Sequence, residues 1–275
     1  MAFVFITYSD DRFKVSADRI TRQARRSGVF DRIVRYSPKD LPDYVRSSPL
    51  FSGTKGGGYW CWKPYIISHA LEQCEIGDIV VYADAGCSVN ADSPEWAEFK
   101  RLLQDHSAIY FQYRRGYTYP GWDRYCKGDD SDKTAIRHWM KPSLIDYFQK
   151  YNRPEILDFD SLWAGFILYK KTETHSTVLD QWLKINLLRP DLVIPPFGNE
   201  TIGLPGSYYD HRCNQGILSP LVSLYREKDN AVVLPETSES LTGNPSILAS
   251  RWRQAKLSLI GYFKYRVHEF LFRNQ

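Results

Sequence analysis

The first forty residues alternate between continuous apolar runs and a helical repeat. Residues Phe3 to Tyr8 are apolar, β-branched or aromatic, which predicts a buried strand. Apolar residues then recur at helical spacing, at Phe13, Ala17, Ile20 and Ala24. Gly28 supplies a stop for this helix, and residues 33–36 predict a second strand. Such a β-α-β opening predicts parallel strands joined by a crossover helix.

The same alternation continues along most of the chain. Helices are predicted at 63–74, at 175–187 and from Arg212, and strands at 79–83, 108–113 and 165–169. We therefore predict one α/β domain over residues 1–249, an open mixed sheet flanked by helices with a Rossmann-like nucleotide-binding half. Ligands of such sheets bind at the carboxyl ends of the strands. Thr7, Tyr8 and Asp84 lie at two of these predicted ends.

Composition argues against several other classes of protein. The chain has 275 residues, of which 43% are hydrophobic, enough for the core of one large domain. No segment approaches the roughly 18 consecutive apolar residues of a membrane span, and the N-terminus lacks the cationic start of a signal peptide. The five cysteines are an odd number without CxxC spacing. We therefore expect reduced thiols in a cytoplasmic protein, without a disulfide framework or zinc site.

Positive charge is concentrated at the C-terminal end. Residues 250–275 contain six Lys or Arg and one Glu, a balance of +5, so the rest of the chain carries −1 of the total of +4. We expect no nucleic-acid partner for such a neutral domain. An apolar stripe at helical spacing runs through Trp252, Ala255, Leu259, Phe263, Val267 and Phe270. The segment predicts a basic amphipathic helix, which either lies on an anionic membrane surface or packs on the domain.

Several features point to a bound ligand. Aromatic residues make up 15% of the chain, which indicates either an aromatic core or rings that stack on bases and sugars. Asp84 ends a buried strand, where a carboxylate either holds a divalent cation or caps the following turn. Gly86 leaves room beside it for a bulky ligand. Lys63, after a Gly-rich loop, either meets a diphosphate at a helix start or is a solvated surface residue.

Four motifs follow one another along the chain. The first stretch runs from Gly58 to Ile67 and contains Trp62-Lys63-Pro64, and the second runs from Gly77 to Cys87. The third is Ala164 to Leu168, followed by a helix with the pair Trp182-Leu183, and the fourth is His211 to Ser219. In this order they resemble the motifs of bacterial GT-A glycosyltransferases that act in capsular and O-antigen (lipopolysaccharide) polysaccharide biosynthesis. The resemblance covers about residues 3–226 and implies a GT-A-like fold.

The resemblance also implies a nucleotide-sugar donor, with a UDP-sugar and a galactose form as first candidates, and a glycan or lipid-linked glycan acceptor. The residues implied in donor binding are Thr7, Tyr8, Ser9, Tyr59, Trp60, Lys63, Asp84 and Gly86. Those implied in binding the acceptor or the sugar are Ala164, Gly165 and Asn214. Asp84, His211 and Gln215 would be catalytic, and Asp84 and His211 would hold Mn²⁺ or Mg²⁺. A peripheral position at the inner face of the membrane would suit such an enzyme.

The chain departs from the family pattern at two places. Tyr82 stands where a D-x-D motif has its first carboxylate, and Cys213-Asn214 stand where the pattern has His and Asp. These departures keep open a binding module that has lost its catalytic residues. A second alternative is a glycoside hydrolase that uses Asp158 and Asp160. Carboxylates two residues apart on one strand are, however, too close for the usual acid and base pair.

Overall fold

The computed structural model describes residues 1–52, 55–117, 119, 122, 132–201, 204, 207–239 and 244–250. Six strands form one sheet in the order β2-β1-β3-β6-β5-β7. Its members are β1 (Phe3–Tyr8), β2 (Arg32–Tyr36), β3 (Ile79–Ala83), β5 (Ala108–Gln112), β6 (Phe166–Lys170) and β7 (Ala231–Pro235). Strands β4 (Ser88–Val89) and β8 (Ile247–Leu248) form a separate antiparallel pair. Strand β6 runs antiparallel to β3 and β5, and the remaining pairs in the large sheet are parallel.

Helices connect and cover these strands. The longer ones are α1 (Lys14–Ser27), α4 (Lys63–Glu72), α5 (Glu95–Asp105), α6 (Pro142–Gln149), α8 (Thr177–Leu188) and α10 (Gln215–Tyr225). Single turns are α2 (Asp43–Arg46), α3 (Gly56–Tyr59), α7 (Glu155–Asp158) and α9 (Pro190–Val193). Short 3₁₀ segments occur at Asp11–Phe13, Pro38–Asp40, Pro49–Ser52, Ile136–Trp139 and Gly198–Thr201. Helix α8 packs against α4 and α10, which gives the sheet a helical layer on one side.

Local sequence explains where the main elements begin and end. Every residue of β1 and of β3 is buried, as expected for strands that are covered on both faces. Helix α1 ends at Gly28, which adopts a left-handed conformation with φ of 65°. Asp229 accepts hydrogen bonds from the backbone amides of Thr177 and Val178, so its carboxylate stabilises the start of α8.

The topology changes direction at β1. The chain leaves β1 through α1 to β2 on one side, and β3 later adds to the other side, parallel to β1. Ile6 pairs with Tyr82 in this register, and the Thr7 hydroxyl donates to the carbonyl of Ala83 at 2.8 Å. The carboxyl ends of β1 and β3 therefore lie side by side. Tyr8 and Asp84 follow directly at this edge, which is a topological switch point.

The structure confirms the predicted α/β fold with an open mixed sheet. The strands predicted at 79–83, 108–113 and 165–169 are present within one residue at each end, and the crossover helix α1 is present as well. Strand β7 was not predicted although it has five residues, and the β4–β8 pair was not predicted because each of its strands has only two residues. No helix within the described part of the chain is long and apolar enough to cross a membrane. The predicted amphipathic helix lies outside the described residues, apart from Ser250.

Candidate functional site

A cavity of about 700 Å³ opens at the carboxyl ends of β1 and β3. Five segments form most of its wall, and they lie at residues 8–13, 55–63, 84–87, 163–165 and 210–215. Eight aromatic side chains line it: Tyr8, Phe13, Trp60, Trp62, Tyr82, Tyr113, Trp122 and Trp163. A concave site that combines many rings with polar and charged groups is typical of pockets that bind small organic ligands.

Asp84 lies on the cavity wall with its side chain 38% exposed. Its Oδ1 accepts a hydrogen bond from the Lys63 ammonium at 3.0 Å and another from the Tyr82 hydroxyl. Burial, together with the charge of Asp84, raises the pKa of Tyr82 well above its usual value. The phenol therefore stays protonated and acts as the donor. Two donors thus fix one oxygen of Asp84, and the carboxylate borders the cavity in a defined orientation.

Lys63 is a buried residue, with only 2% of its side chain exposed. Besides Asp84, its ammonium donates to the carbonyl of Ala164 at 2.7 Å, and it lies 4.7 Å from the ring centroid of Tyr82. Two of the three N–H donors of this ammonium are thus bonded within the protein, and the Tyr82 ring lies beside its charge. Burial lowers the pKa of Lys63, while the charge of Asp84 acts in the opposite direction. The expectation of a solvated Lys63 is therefore wrong, and the predicted diphosphate contact would require these bonds to break.

The loop before β6 supports this ion pair through its backbone. Ala164 accepts from Lys63, and Gly165 accepts from the amide of Asp84 at 2.9 Å. A Cβ atom at Gly165 would lie 2.6 Å from the ring of Trp163. Position 165 therefore requires glycine because a tryptophan ring lies against it. Ala164 and Gly165 both line the cavity, as the predicted sugar contact requires.

His211 occupies a different environment from the one predicted for a metal ligand. It is fully buried, its Nδ1 accepts from the amide of Lys141 at 3.2 Å, and its Nε2 lies 3.1 Å from the carbonyl of Val193. Nε2 must therefore carry the proton, and neither ring nitrogen is left for a cation. Burial lowers the pKa of His211 to about 4, so the ring is neutral. The predicted roles of His211 as a metal ligand and as a catalytic residue do not fit this geometry, which gives His211 a structural role.

The donor set does not fit a divalent cation at Asp84. One carboxylate oxygen is already engaged by two donors, and the residue two positions earlier is a buried tyrosine. Among the described residues, no group of three or more His, Cys, Asp or Glu side chains is placed to hold a metal ion. Any cation on Asp84 would also lie beside the Lys63 ammonium, which would repel it. The predicted Mn²⁺ or Mg²⁺ site is therefore not supported by these residues.

An unusual backbone turn carries the tryptophans into the cavity wall. Five successive residues, 56–60, have positive φ angles between 54° and 97°. A Cβ atom at Gly56 would lie 2.3 Å from the Trp60 ring, so the turn depends on glycine there. The turn is closed by the Trp62 indole, which donates to the carbonyl of Gly56 at 3.1 Å. Left-handed conformation at Tyr59 and Trp60 is costly, and such strain is concentrated at functional sites.

Stacked rings continue from this turn to the end of β1. The rings of Tyr8 and Trp62 stack with centroids 3.8 Å apart. Tyr8 is 5% exposed and Asn214 is 8% exposed, and both line the cavity. The Tyr8 hydroxyl and the Asn214 Oδ1 are buried without a hydrogen-bond partner among the described residues. Buried polar atoms are normally paired, so these two atoms are available to a water molecule or a polar ligand in the cavity.

The structure brings most of the predicted site residues together. Those that line the cavity are Tyr8, Ser9, Trp60, Lys63, Asp84, Gly86, Ala164, Gly165, His211, Asn214 and Gln215. Thr7 and Tyr59 do not line it. The Thr7 hydroxyl joins β1 to β3, and Tyr59 packs against the hydrophobic core.

Sequence reasoning missed several residues of the cavity wall. Trp122, Trp163, Tyr113 and Glu239 line the cavity although their segments carry no motif that we recognised. The Tyr113 hydroxyl donates to Glu239 at 3.0 Å, and the Gln215 side chain forms a hydrogen bond with the same hydroxyl. In the sequence, only the high tryptophan and tyrosine content pointed to an aromatic cavity, and composition does not identify which rings lie together.

The carboxylates of the hydrolase alternative lie away from this cavity. Asp158 pairs with Arg137, and Asp160 pairs with Arg115 at 3.0 Å and accepts from Thr134 at 2.7 Å. Neither carboxylate is among the cavity-lining residues. Their partners are basic and hydroxyl groups of neighbouring loops, so both carboxylates have a structural role. The hydrolase alternative has no support in this geometry.

Comparison with known proteins gives distant likenesses only. No protein-family model matches the sequence, and no curated protein matches it. A glycosyltransferase involved in the glycosylation of the major capsid of PBCV-1 is 9% identical over 86% of this chain and 82% of its own, with a TM-score of 0.42. Mouse xyloside xylosyltransferase 1 is 9% identical over 85% of both chains, also with a TM-score of 0.42.

The galactosyltransferase LgtC, solved with donor and acceptor sugar analogs, is 12% identical over 84% of this chain and 72% of its own, with a TM-score of 0.32. Identities and TM-scores this low do not assign a family or an activity to the chain.

Proposed function

We propose that this protein is a glycosyltransferase that moves a sugar from a nucleotide-sugar donor to a hydroxyl group of an acceptor. One observation carries the proposal: a ring-lined cavity of about 700 Å³ lies at the switch point of the sheet and contains the oriented carboxylate of Asp84. Nucleotides bind at this place in open α/β sheets. Aromatic rings suit the faces of a base and of a sugar, and the buried Asn214 Oδ1 suits a sugar hydroxyl.

The proposed reaction replaces one bond at the anomeric carbon with another. The bond between this carbon and the phosphate oxygen breaks, and its electron pair leaves with the nucleoside diphosphate. The acceptor oxygen forms the new bond and loses its proton to a base. Asp84 would accept a hydrogen bond from the transferred sugar with the oxygen that Lys63 and Tyr82 leave open. Ordered groups that meet the transition state without reorganisation contribute most to such catalysis.

The proposed donor is a UDP-sugar, with a galactose form as the first candidate, and the acceptor is a glycan or lipid-linked glycan. Surface polysaccharide synthesis, of capsule or lipopolysaccharide, is the proposed setting. Residues 1–249 would be the catalytic domain. Residues 250–275 would attach the protein peripherally to the inner face of the membrane, in the cytoplasm. These finer statements rest on the sequence motifs and on the basic tail, and we propose no nucleic-acid partner.

A donor panel tests the proposal. The protein is incubated with UDP-, GDP-, dTDP- and CMP-sugars, and the released nucleotide is measured with and without a mixture of glycan acceptors. We expect slow hydrolysis of one donor and faster release when a suitable acceptor is present. The Asp84→Asn variant serves as the control for site-dependent release. Release that the variant leaves unchanged would contradict a role for this cavity.

A nucleotide-sugar-binding module is the second candidate. The observation that favours it is the set of uncharged side chains at positions where the resembling family has carboxylates, namely Tyr82 and Asn214. Such a module would bind one donor of the panel with the same rings and would release no nucleotide. Calorimetry of donor binding beside the release assay separates the two candidates.

A further inference from the structure

The charge balance at the end of β3 differs from that of a metal site. Asp84 contributes one negative charge, and the buried ammonium of Lys63 at 3.0 Å already balances it. The Tyr82 hydroxyl donates to the same carboxylate oxygen. Because residue 82 is a tyrosine, this position on β3 supplies no second carboxylate. A divalent cation would need oxygen ligands that Asp84 alone does not supply. The ion pair therefore takes the place in which a cation would have to sit.

A departing diphosphate still needs positive charge close to it. Lys55 is exposed on the cavity wall, and its ammonium forms no hydrogen bond or ion pair with any described residue. Arg212 lines the same cavity, with its guanidinium 4.6 Å from the centroid of the Trp139 ring. Lys55 and Arg212 thus supply two cationic side chains on the cavity wall.

Resting on the proposed function, we propose that Lys55, assisted by Arg212, neutralises the diphosphate of the donor, and that donor binding needs no divalent cation. Lys63 and Tyr82 act as positioning residues that orient Asp84 towards the sugar. In this arrangement the two lysines have separate tasks. Lys63, which is buried, orients the carboxylate of Asp84. Lys55, which is exposed, contacts the phosphates.

Calorimetric titration with UDP, and in parallel with GDP and dTDP, tests the proposal without relying on turnover. Each titration is run once in EDTA and once in Mn²⁺, with wild type, Lys55→Gln and Lys184→Gln. Lys184 is exposed on α8 and lies outside the cavity, so its variant controls for the loss of one positive charge. We expect one nucleotide to bind wild type with affinities that agree within about twofold in the two buffers. Lys55→Gln should weaken this binding about tenfold, the effect of losing one charge-assisted contact, and Lys184→Gln should not.

The possible outcomes are distinct. If Mn²⁺ strengthens binding tenfold or more in wild type, and Asp84→Asn removes this gain, a cation site exists and the inference is overturned while the proposed function stands. Equal affinities of Lys55→Gln and wild type would overturn the role of Lys55. If no nucleoside diphosphate binds in either buffer, the proposed function itself fails, and the inference fails with it.

Discussion

The carboxylate of Asp84 is oriented by two neighbours that come from different elements. Lys63 is the first residue of α4, and Tyr82 precedes Asp84 by two positions on β3. Both side chains are buried, yet they hold a carboxylate that faces the cavity. Removing a partner from such a network leaves a buried donor unpaired, which costs more than the net value of one hydrogen bond. The function of this residue therefore depends on a cluster of three side chains.

Asp84→Asn should lower glycosyl transfer at least ~100-fold, the scale observed when one key electrostatic contact of an active site is removed. The amide keeps the shape of the side chain but loses the charge that pairs with Lys63. Donor turnover measures the effect, and circular dichroism checks the fold. Asp146→Asn, at an exposed position on α6, is the matched control. Turnover near the wild-type value in Asp84→Asn would contradict the proposed role.

His211 should make the protein less stable in acid. Its pKa is lowered to about 4, below the value of about 6.5 for an unfolded chain. Between these values the unfolded state binds a proton that the folded state does not, so the free energy of unfolding falls as the pH drops. The fall is about 1.4 kcal/mol per pH unit for one group, or roughly 2 kcal/mol from pH 7 to pH 5.

Urea unfolding of wild type and His211→Gln at pH 7 and pH 5 measures this effect. We expect the variant to be less stable at pH 7, because two backbone partners lose the imidazole. The gap between the two proteins should narrow at pH 5. His175→Gln, at an exposed position, should follow wild type. A gap of constant size at both pH values would show that His211 does not titrate in this way.

Among the elements, the left-handed turn at residues 56–60 decides the shape of the aromatic wall. Three glycines adopt its positive φ angles without steric cost, and the following Tyr59 and Trp60 are held there by backbone hydrogen bonds from their amides to Lys55 and Gly56. The turn places Trp60 on the cavity wall and supplies the carbonyl that fixes the Trp62 indole. Its conformation therefore sets the position of two rings at once.

Gly56→Ala should weaken nucleotide binding through Trp60. Gly56 and Gly28 have nearly the same φ, 61° and 65°, so alanine at either position carries a similar backbone strain of about 1 kcal/mol. Only at Gly56 does the new Cβ meet a ring, at 2.3 Å, whereas nothing lies within 4 Å of it at Gly28. We expect both variants to lose thermal stability, and Gly56→Ala to lose more, because its Cβ also displaces the Trp60 ring. Affinity for the nucleotide should fall about tenfold in Gly56→Ala alone, since stacking on one ring contributes roughly 1–3 kcal/mol.

Calorimetry with the nucleotide selected by the donor panel compares these variants. Equal affinity of Gly56→Ala and Gly28→Ala for the nucleotide would show that Trp60 does not contact it. The turn would then contribute only to the stability of the fold.

In the whole molecule, the β4–β8 pair brings the end of the described chain back to the cavity. Ser250 donates to the carbonyl of Gly86 at 2.8 Å and lies 2.9 Å from the Ser88 hydroxyl. Ala249 and Gly86 are both cavity-lining residues. The described chain therefore ends beside the proposed donor site, and the basic segment 251–275 follows it in the sequence. An acceptor at a membrane surface would be close to this rim if that segment binds lipid.

Deletion of residues 251–275 should abolish binding to anionic vesicles and leave donor turnover with a soluble acceptor unchanged. Six basic residues would each contribute about 1 kcal/mol near such a surface, and this attraction is screened by salt. Sedimentation with phosphatidylserine vesicles at low salt measures it, with phosphatidylcholine vesicles as the control. If the full chain ignores anionic vesicles, or if the truncated chain binds them equally, the membrane role is wrong. Collapse of the truncated fold would show that the segment packs on the domain.

The sequence alone determined the α/β class and the main strands. A buried strand needs a continuous apolar run, and a helix that packs on the sheet needs apolar residues at a period of 3.6. It also placed Tyr8 and Asp84 at strand ends, where a ligand site is expected. These are local properties of patterns such as Phe3 to Tyr8 and Ile79 to Ala83. The candidate residues at 60, 164, 165 and 214 came from a resemblance, and the structure gathers them around one cavity.

Only the tertiary structure decided what each polar group does. Lys63 and His211 both have side chains suited to phosphates or metals, but burial and fixed partners commit Lys63 to Asp84 and His211 to backbone groups. Trp163 and Glu239 line the cavity although their segments contain no recognisable motif. Such roles depend on which atoms meet between separate elements of the chain, at sequence separations of 21 residues for Lys63 and Asp84 and of 70 for His211 and Lys141. Desolvation and hydrogen-bond geometry settle them, and neither is encoded in the spacing of residue types.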